Sequence, residues 1–497
     1  MRSLAWLLPA LALALAAACG ATHATSSSGP SQDAAVETGD DASDAGEPAP
    51  IYIPAAMQRP GDADAGYAAL LDDGYVGCGI PYTAYSQVYG AASQDQLLPG
   101  RNATNATLPY DLTRFTTTGD GDGGAGVDVV GPNCLACHAA VLGGQIVVGL
   151  GNTTNDFTVN LASEAALAEA LLTDPNEIAE LQKFVDRGNA IQPYTQPLTV
   201  GVTPADNIAA ALFAHHDVTT LAWSDTPYLP LPPTYAVPVD VPPWWRMSKK
   251  HAMFYTAAGR GDHARIMMTA STFCIDSVPQ AQAIDAYFPD VRAFVETLTA
   301  PAYPGTIDAT LTARGQAVFE ATCARCHGTY GSSGDAGGAA AYPNLVIPIA
   351  DVATDPLLAG GAAQFAGVYV QWFDQSFYGQ VAQLDTQAGY YAPPLDGIWA
   401  TAPYFHNGSV PQLAQVLDSS TRPTYWTRTF DPSAYDVAAM GWTFTALPTG
   451  QDAQSDPDQK KLIYDTTKLG YSAGGHTYGD AFTSDDRAAV LEYLKTL

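Results

Sequence analysis

An apolar run from Leu4 to Leu15, behind a lone Arg2 and ahead of Ala16-Ala17-Ala18-Cys19, opens the chain. A charged start, an apolar middle and a small-residue end predict an export signal over residues 1–19, too short to span a bilayer. The residues that follow, to about 50, include Ser26-Ser27-Ser28-Gly29, Asp40-Asp41 and Gly46-Glu47-Pro48 and almost no large apolar side chain. Such a stretch cannot bury a core, and a disordered acidic tether is expected over residues 20–50. Folded sequence begins near Ile51. A glycine-rich run, Gly119 to Gly126, precedes Cys134 with no amphipathic helix between them. Ala210 to Ala214 read as a helix ending at His215-His216, and a proline-rich stretch, Pro227 to Pro243, then leads into Trp244-Trp245. Further on, Leu311, Gly315, Val318 and Phe319 fall at helical spacing directly before Cys323, and Ala489, Leu491, Tyr493 and Leu494 mark a terminal helix. Thr483 with Asp486 three residues on resembles a capping box at its start. No repeat with a period of 20 to 50 residues is present.

The chain has 497 residues, 47% of them hydrophobic, enough for two or three substantial cores. Twenty-one basic residues against fifty acidic ones leave a net charge of −29. That balance argues against nucleic acid as a partner and against electrostatic docking on an anionic membrane. It suits an exported protein kept from aggregating by its acidity. Cys19 after small residues resembles a bacterial lipoprotein box, with Ala16 where leucine is usual; lipidation there is favoured over ordinary cleavage nearby, and would be the chain's only membrane attachment.

Cys134-Leu135-Ala136-Cys137-His138 and Cys323-Ala324-Arg325-Cys326-His327 are two copies of Cys-x-x-Cys-His, the c-type haem attachment pattern. Given this composition, chance supplies roughly 0.002 copies. Each pair of thiols would bond a haem, and His138 and His327 would bind the two irons from below. A zinc or thioredoxin-like reading needs a second ligand pair or a βαβ setting, and neither is visible nearby. Cys78 and Cys274 are left over and are expected to pair as a disulfide, the alternative being two buried thiols.

The helix before Cys323 and the terminal helix together resemble the class I cytochrome c fold, whose first helix packs through a Gly-x-x-x-aromatic face, here Gly315 and Phe319, on the last. The expectation is therefore a mainly α protein of two cytochrome-c-like haem domains with long loops and little β structure. An N-terminal haem domain with insertions would cover residues 51–304 and a class-I-like cytochrome c domain residues 305–497. Three side chains compete to cap the second iron: His476, in the glycine-flanked loop just before the last helix, then His406 and Met440. For the first iron no comparable histidine stands out; His215 and His216 are weak candidates.

Ala392-Pro393-Pro394-Leu395-Asp396-Gly397-Ile398-Trp399, followed by Pro403-Tyr404-Phe405-His406-Asn407-Gly408-Ser409-Val410, resembles the motif of bacterial di-haem cytochrome c peroxidases and MauG-like enzymes. Within that superfamily the lead-in, the Gly-His-x-Tyr-Gly segment and Trp-Trp before a lysine pair are most similar to the di-haem rubber oxygenases. The resemblance implies that His476 caps the second haem and that His406 is a neighbouring histidine rather than a ligand. It also implies an open first iron, flanked by the His251 to His263 segment, and makes Trp244 and Trp245 candidates for an aromatic bridge between haems. Calcium between the haem regions is common in the peroxidases. Asp396 and Asn407 could offer it oxygen atoms, although no loop of alternating carboxylates is present. Peroxidases of this kind place a carboxylate beside the peroxide, and Asp156, next to the Gly149–Asn155 loop, is as readily a turn residue. The implied function is a redox enzyme whose first haem meets O2 or peroxide and whose second stores or supplies an electron, with a small redox protein as donor or acceptor. An electron carrier with both irons capped is the alternative, and a non-catalytic sensor or scaffold the third.

Overall fold

The helix Ala309–Thr322 lies against the terminal helix Ser484–Leu494. The Asp308 carboxylate caps the first by accepting from the Thr310 and Leu311 amides, and Thr483 Oγ1 caps the second by accepting from Asp486 at 3.1 Å. Gly315 lets them touch: a Cβ there would stand 1.9 Å from the Ala489 carbonyl oxygen. Around that contact Phe319 and Tyr493 bury fully, ring centres 5.3 Å apart, and Trp399, Tyr404, Met440 and Trp442 continue the same core. The computed structural model describes residues 49–118, 126–330, 342–365 and 367–497. The expected signal, Cys19, the tether to residue 48 and most of the glycine-rich run lie outside them. Residues 50–497 form one compact unit.

The expected mainly α fold of two cytochrome-like domains with little β structure needs correction. Among the described residues fifteen strands of two to five residues form six small sheets. Ile51–Tyr52 and Gly389–Tyr391 both pair antiparallel with Leu345–Pro348, and Gly259–Gly261 pairs with Ala382–Leu384. These ladders join segments from both sides of residue 304. They exist because long loops crossing a buried interior carry backbone N–H and C=O groups that need partners. Strands this short leave no period-two signature in the sequence.

Around Cys134 the local structure is β rather than helical. Leu112–Thr116, Asp128–Pro132 and Ile80–Pro81 form one sheet, with Asp128–Pro132 at its centre, and that strand delivers the chain to Cys134. After His138 the chain turns straight into a hairpin, Ala139–Leu142 with Gln145–Val148, closed by Gly143-Gly144 at φ 58° and 78°. A two-residue Gly-Gly turn matches strand twist. Cys78 and Cys274 are bonded to each other, tying the edge of this sheet to a segment 196 residues later.

Gly315→Ala is expected to destabilise the protein by about 1–3 kcal/mol, as overpacking of a tight interior does. Urea unfolding of the variant beside the parent measures it; an unchanged midpoint would show that the two helices can part at no cost.

Candidate functional site

The first Cys-x-x-Cys-His turn is a single helical turn, Leu135–His138, in which the Cys134 carbonyl accepts from the His138 amide at 3.0 Å. Asn133 fixes its entry: Oδ1 accepts from Leu135 N–H at 2.8 Å while Nδ2 donates to the Tyr110 carbonyl. Asn152 and Asn155, from the Gly149–Asn155 loop, both donate to the Ala136 carbonyl. Arg428 in turn holds that loop by donating to the Thr153 carbonyl. The second turn, Ala324–His327, continues from the helix ending at Thr322 and stops at Gly328, φ 83°. Neither cysteine pair is joined to itself, and all four thiols are half-buried. Burial pushes Cys134 up to about 12 and Cys137 and Cys323 up to about 11. Those are neutral thiols, the opposite of the depressed thiolate of a redox Cys-x-x-Cys. No group of three or more His, Cys, Asp or Glu gathers as a metal site among the described residues.

His327 and His476 face each other with ring centres 6.1 Å apart. An imidazole nitrogen bonds a metal ion at about 2 Å, with the ring centre roughly 1 Å further back, so two rings capping one ion stand about 6 Å apart. His327 Nδ1 donates to the Pro393 carbonyl at 2.8 Å, which fixes the tautomer and leaves Nε2 as the ligand nitrogen. Burial lowers both histidines, His476 down to about 3, so both are neutral near pH 7 and have a lone pair to give. These residues fit an iron held between them.

The His476 loop is made by its neighbours. His476 has φ 46° and its amide donates to the Val352 carbonyl at 2.7 Å; a Cβ on Gly475 would stand 2.1 Å from the Ala353 carbonyl carbon. Arg422 clasps the loop from behind, donating to the carbonyls of Ala473, Gly475 and His476 at 2.8, 2.6 and 3.2 Å. Sequence reasoning missed Arg422, because its partners are carbonyl groups some fifty residues away that carry no side-chain signature.

His138 has a different neighbour. Trp244 stacks on it, ring centres 4.6 Å apart and planes 19° from parallel, and no second histidine ring stands against it among the described residues. Burial lowers His138 to about 4; the Pro242 carbonyl lies beside it, although Nδ1 makes no hydrogen bond of normal geometry. Trp245, next along the chain, donates from Nε1 to the Asp396 carbonyl at 2.8 Å, three residues from the Pro393 carbonyl that holds His327. Trp244 and Trp245 therefore reach from one turn towards the other.

The remaining candidates are placed as follows. His406 is buried, stacked on Tyr390 at 4.0 Å, with Nε2 3.0 Å from the Tyr390 hydroxyl. Met440 is buried in the core with Trp399 and Trp442. His216 has both nitrogens bonded to carbonyls, of Leu212 and Ile275, and His215 is bonded to the Ser224 carbonyl. Asp156 is ion-paired with Lys461 at 3.0 Å and accepts from Thr158. Asp396 is ion-paired with Lys249 at 2.6 Å, and the Asn407 amide donates to the Gly470 and Ser472 carbonyls.

A family model described as RoxA-like, cytochrome c-like matches residues 389–427. That stretch contains Tyr390, the Pro393–Gly397 segment, His406 and Arg422. The match supports a haem-binding, cytochrome c-like region in this part of the chain. The chain is also 27% identical over 338 residues to uncharacterized protein y4iM of Sinorhizobium fredii (strain NBRC 101917 / NGR234), covering 58% of this chain and 71% of that protein. It is 27% identical over 290 residues to uncharacterized protein y4iJ of the same organism, covering 46% of each.

Arg422→Ala is expected to loosen the loop around His476, at about 1–3 kcal/mol for carbonyl groups left without their donor. Hydrogen–deuterium exchange of residues 472–478 should quicken while that of the 484–494 helix stays; equal exchange in both proteins would assign Arg422 no part in holding the loop.

Proposed function

We propose that the protein is an exported di-haem c-type cytochrome acting as a redox enzyme, with one haem held by Cys134, Cys137 and His138 and the other by Cys323, Cys326 and His327. The observation that carries the reading is the inequality of the two histidines: His327 faces His476 at 6.1 Å, whereas the described neighbour stacked on His138 is Trp244. An iron with two protein ligands transfers electrons and one with a vacancy binds small molecules such as O2 or peroxide, which is the chemistry the two groups supply when bound.

The chain's own residues divide the remaining tasks. Asn133, Asn152 and Asn155 hold the first turn rigid, so that His138 presents one nitrogen in a fixed direction. The Pro393 carbonyl and the Arg422 clasp do the same for His327 and His476. Trp244 on His138 and Trp245 on the Asp396 carbonyl supply an aromatic path between the two sites. The RoxA-like match favours an oxygenase-like role for the first site, with peroxide as the other small ligand it would accept. A small redox protein is the partner for the second site, and a lipid on Cys19 would be the attachment to a membrane.

The test is spectroscopic. Haem staining, mass and a reduced-minus-oxidised spectrum should give two c-type haems per chain, and electron paramagnetic resonance of the oxidised protein one low-spin bis-histidine iron and one high-spin or water-capped iron. Peroxide or O2 should perturb the second of these signals first, and His476→Ala should abolish the bis-histidine signal. Two bis-histidine signals, inert to peroxide, would establish an electron carrier instead.

A further inference from the structure

We infer that the turn Trp244–Lys249 and the lysine that follows it form the anion site for the propionate carboxylates of a haem seated at His327, with Arg246 at its centre. This rests on the reading that haem is attached at Cys323 to His327. Arg246 is 6% exposed, yet no carboxylate forms an ion pair with it among the described residues. Its Nε donates to the Asp396 backbone carbonyl at 3.0 Å and its Nη2 reaches Thr401 Oγ1 at 3.5 Å, which leaves most of the guanidinium fork unused. The Asp396 carbonyl is three residues from the Pro393 carbonyl that accepts from His327, so Arg246 lies beside the second site.

Two lysines join it. Lys249 is ion-paired with Asp396 Oδ1 at 2.6 Å and sits 5.2 Å from the ring centre of Tyr330, three residues after His327. Lys250 is 5.2 Å from the ring centre of Tyr391 and forms no ion pair with an acidic side chain among the described residues. Asp240, the other acid within reach of Arg246, accepts from the Tyr255 hydroxyl at 3.2 Å, and burial raises it well above the usual carboxylate range. Three cations, Arg246, Lys249 and Lys250, stand against two carboxyl groups, Asp396 and Asp240, so positive charge remains over. Buried charge without a partner is strongly disfavoured. The two propionates at the edge of one haem supply the missing charge, and a guanidinium fork matches a carboxylate in two-point geometry.

A cation against a propionate disfavours the oxidised iron, so its removal should lower that haem's reduction potential. In the full chain, Arg246→Gln should shift the reduction equilibrium of the low-spin haem about tenfold towards the oxidised state, about 59 mV for one electron, with haem content unchanged. Arg246→Lys should bring it back towards the parent. Where the Gln variant does not fold, Lys250→Gln should give a smaller shift of the same sign. An unchanged potential at full haem content, or a shift confined to the haem at His138, would overturn the assignment. Haem stoichiometry measured on the parent chain tests the underlying reading separately.

Discussion

Five consecutive residues, Pro393 to Gly397, hold the two halves of the site in register. The Pro393 carbonyl accepts from His327, the Leu395 amide donates to the Tyr330 hydroxyl, and the Asp396 carbonyl accepts from both Trp245 and Arg246. Gly397, at φ 62°, donates its amide to the carbonyl of Leu497, three residues beyond the terminal helix. A Cβ at Gly397 would stand 2.7 Å from Ala300 Cβ and 3.0 Å from Trp245 Nε1, so a side chain here would push the tryptophan off its carbonyl. Because all of these bonds leave from the backbone of one short segment, moving the segment moves a histidine, a tryptophan and the C-terminal residues together. The family match covers this stretch.

The two Cys-x-x-Cys-His turns are chemically alike and are supported by unlike structures. The second continues a helix and inherits its rigidity, so the histidine opposite only needs a loop aimed back at it, and Gly475 with Arg422 provides the aim. The first leaves a strand and enters a hairpin. Its rigidity comes from asparagine amides that bond the carbonyl left free in the middle of so short a helix. A turn built this way needs no second histidine for its shape, and the face of His138 is covered by an indole instead.

What could be read from the sequence divides along the same line. The helices at 309–322 and 484–494 were legible because apolar spacing, a glycine at the crossing and a threonine cap all agreed. His476 was legible as a glycine-flanked loop histidine. The strands were not, since two to five residues cannot show alternation, and their partners lie up to about three hundred residues away. The placement of His406 was not legible either: its motif drew attention to the ring, but only the fold supplies Tyr390, which both stacks on it and bonds it.

Buried arginine was the least legible feature, and it explains how so loop-rich a chain holds its shape. With 45 glycines and 36 prolines, many carbonyl groups lie outside any helix or sheet, and the interior must still supply them with donors. Arg101 donates to the carbonyls of Leu71, Pro109 and Leu112; Arg187 to that of Phe273; Arg265 to that of Phe377; Arg428 to that of Thr153. A guanidinium has five N–H groups in a fixed plane, so one side chain can pin several carbonyl groups where a lysine would pin one. Among the described residues the seven buried arginines are matched by seven buried acidic side chains, so the interior takes up no net formal charge. The cations that fasten the loops are therefore balanced within the interior, and the formal charge of −29 is left to the rest of the chain.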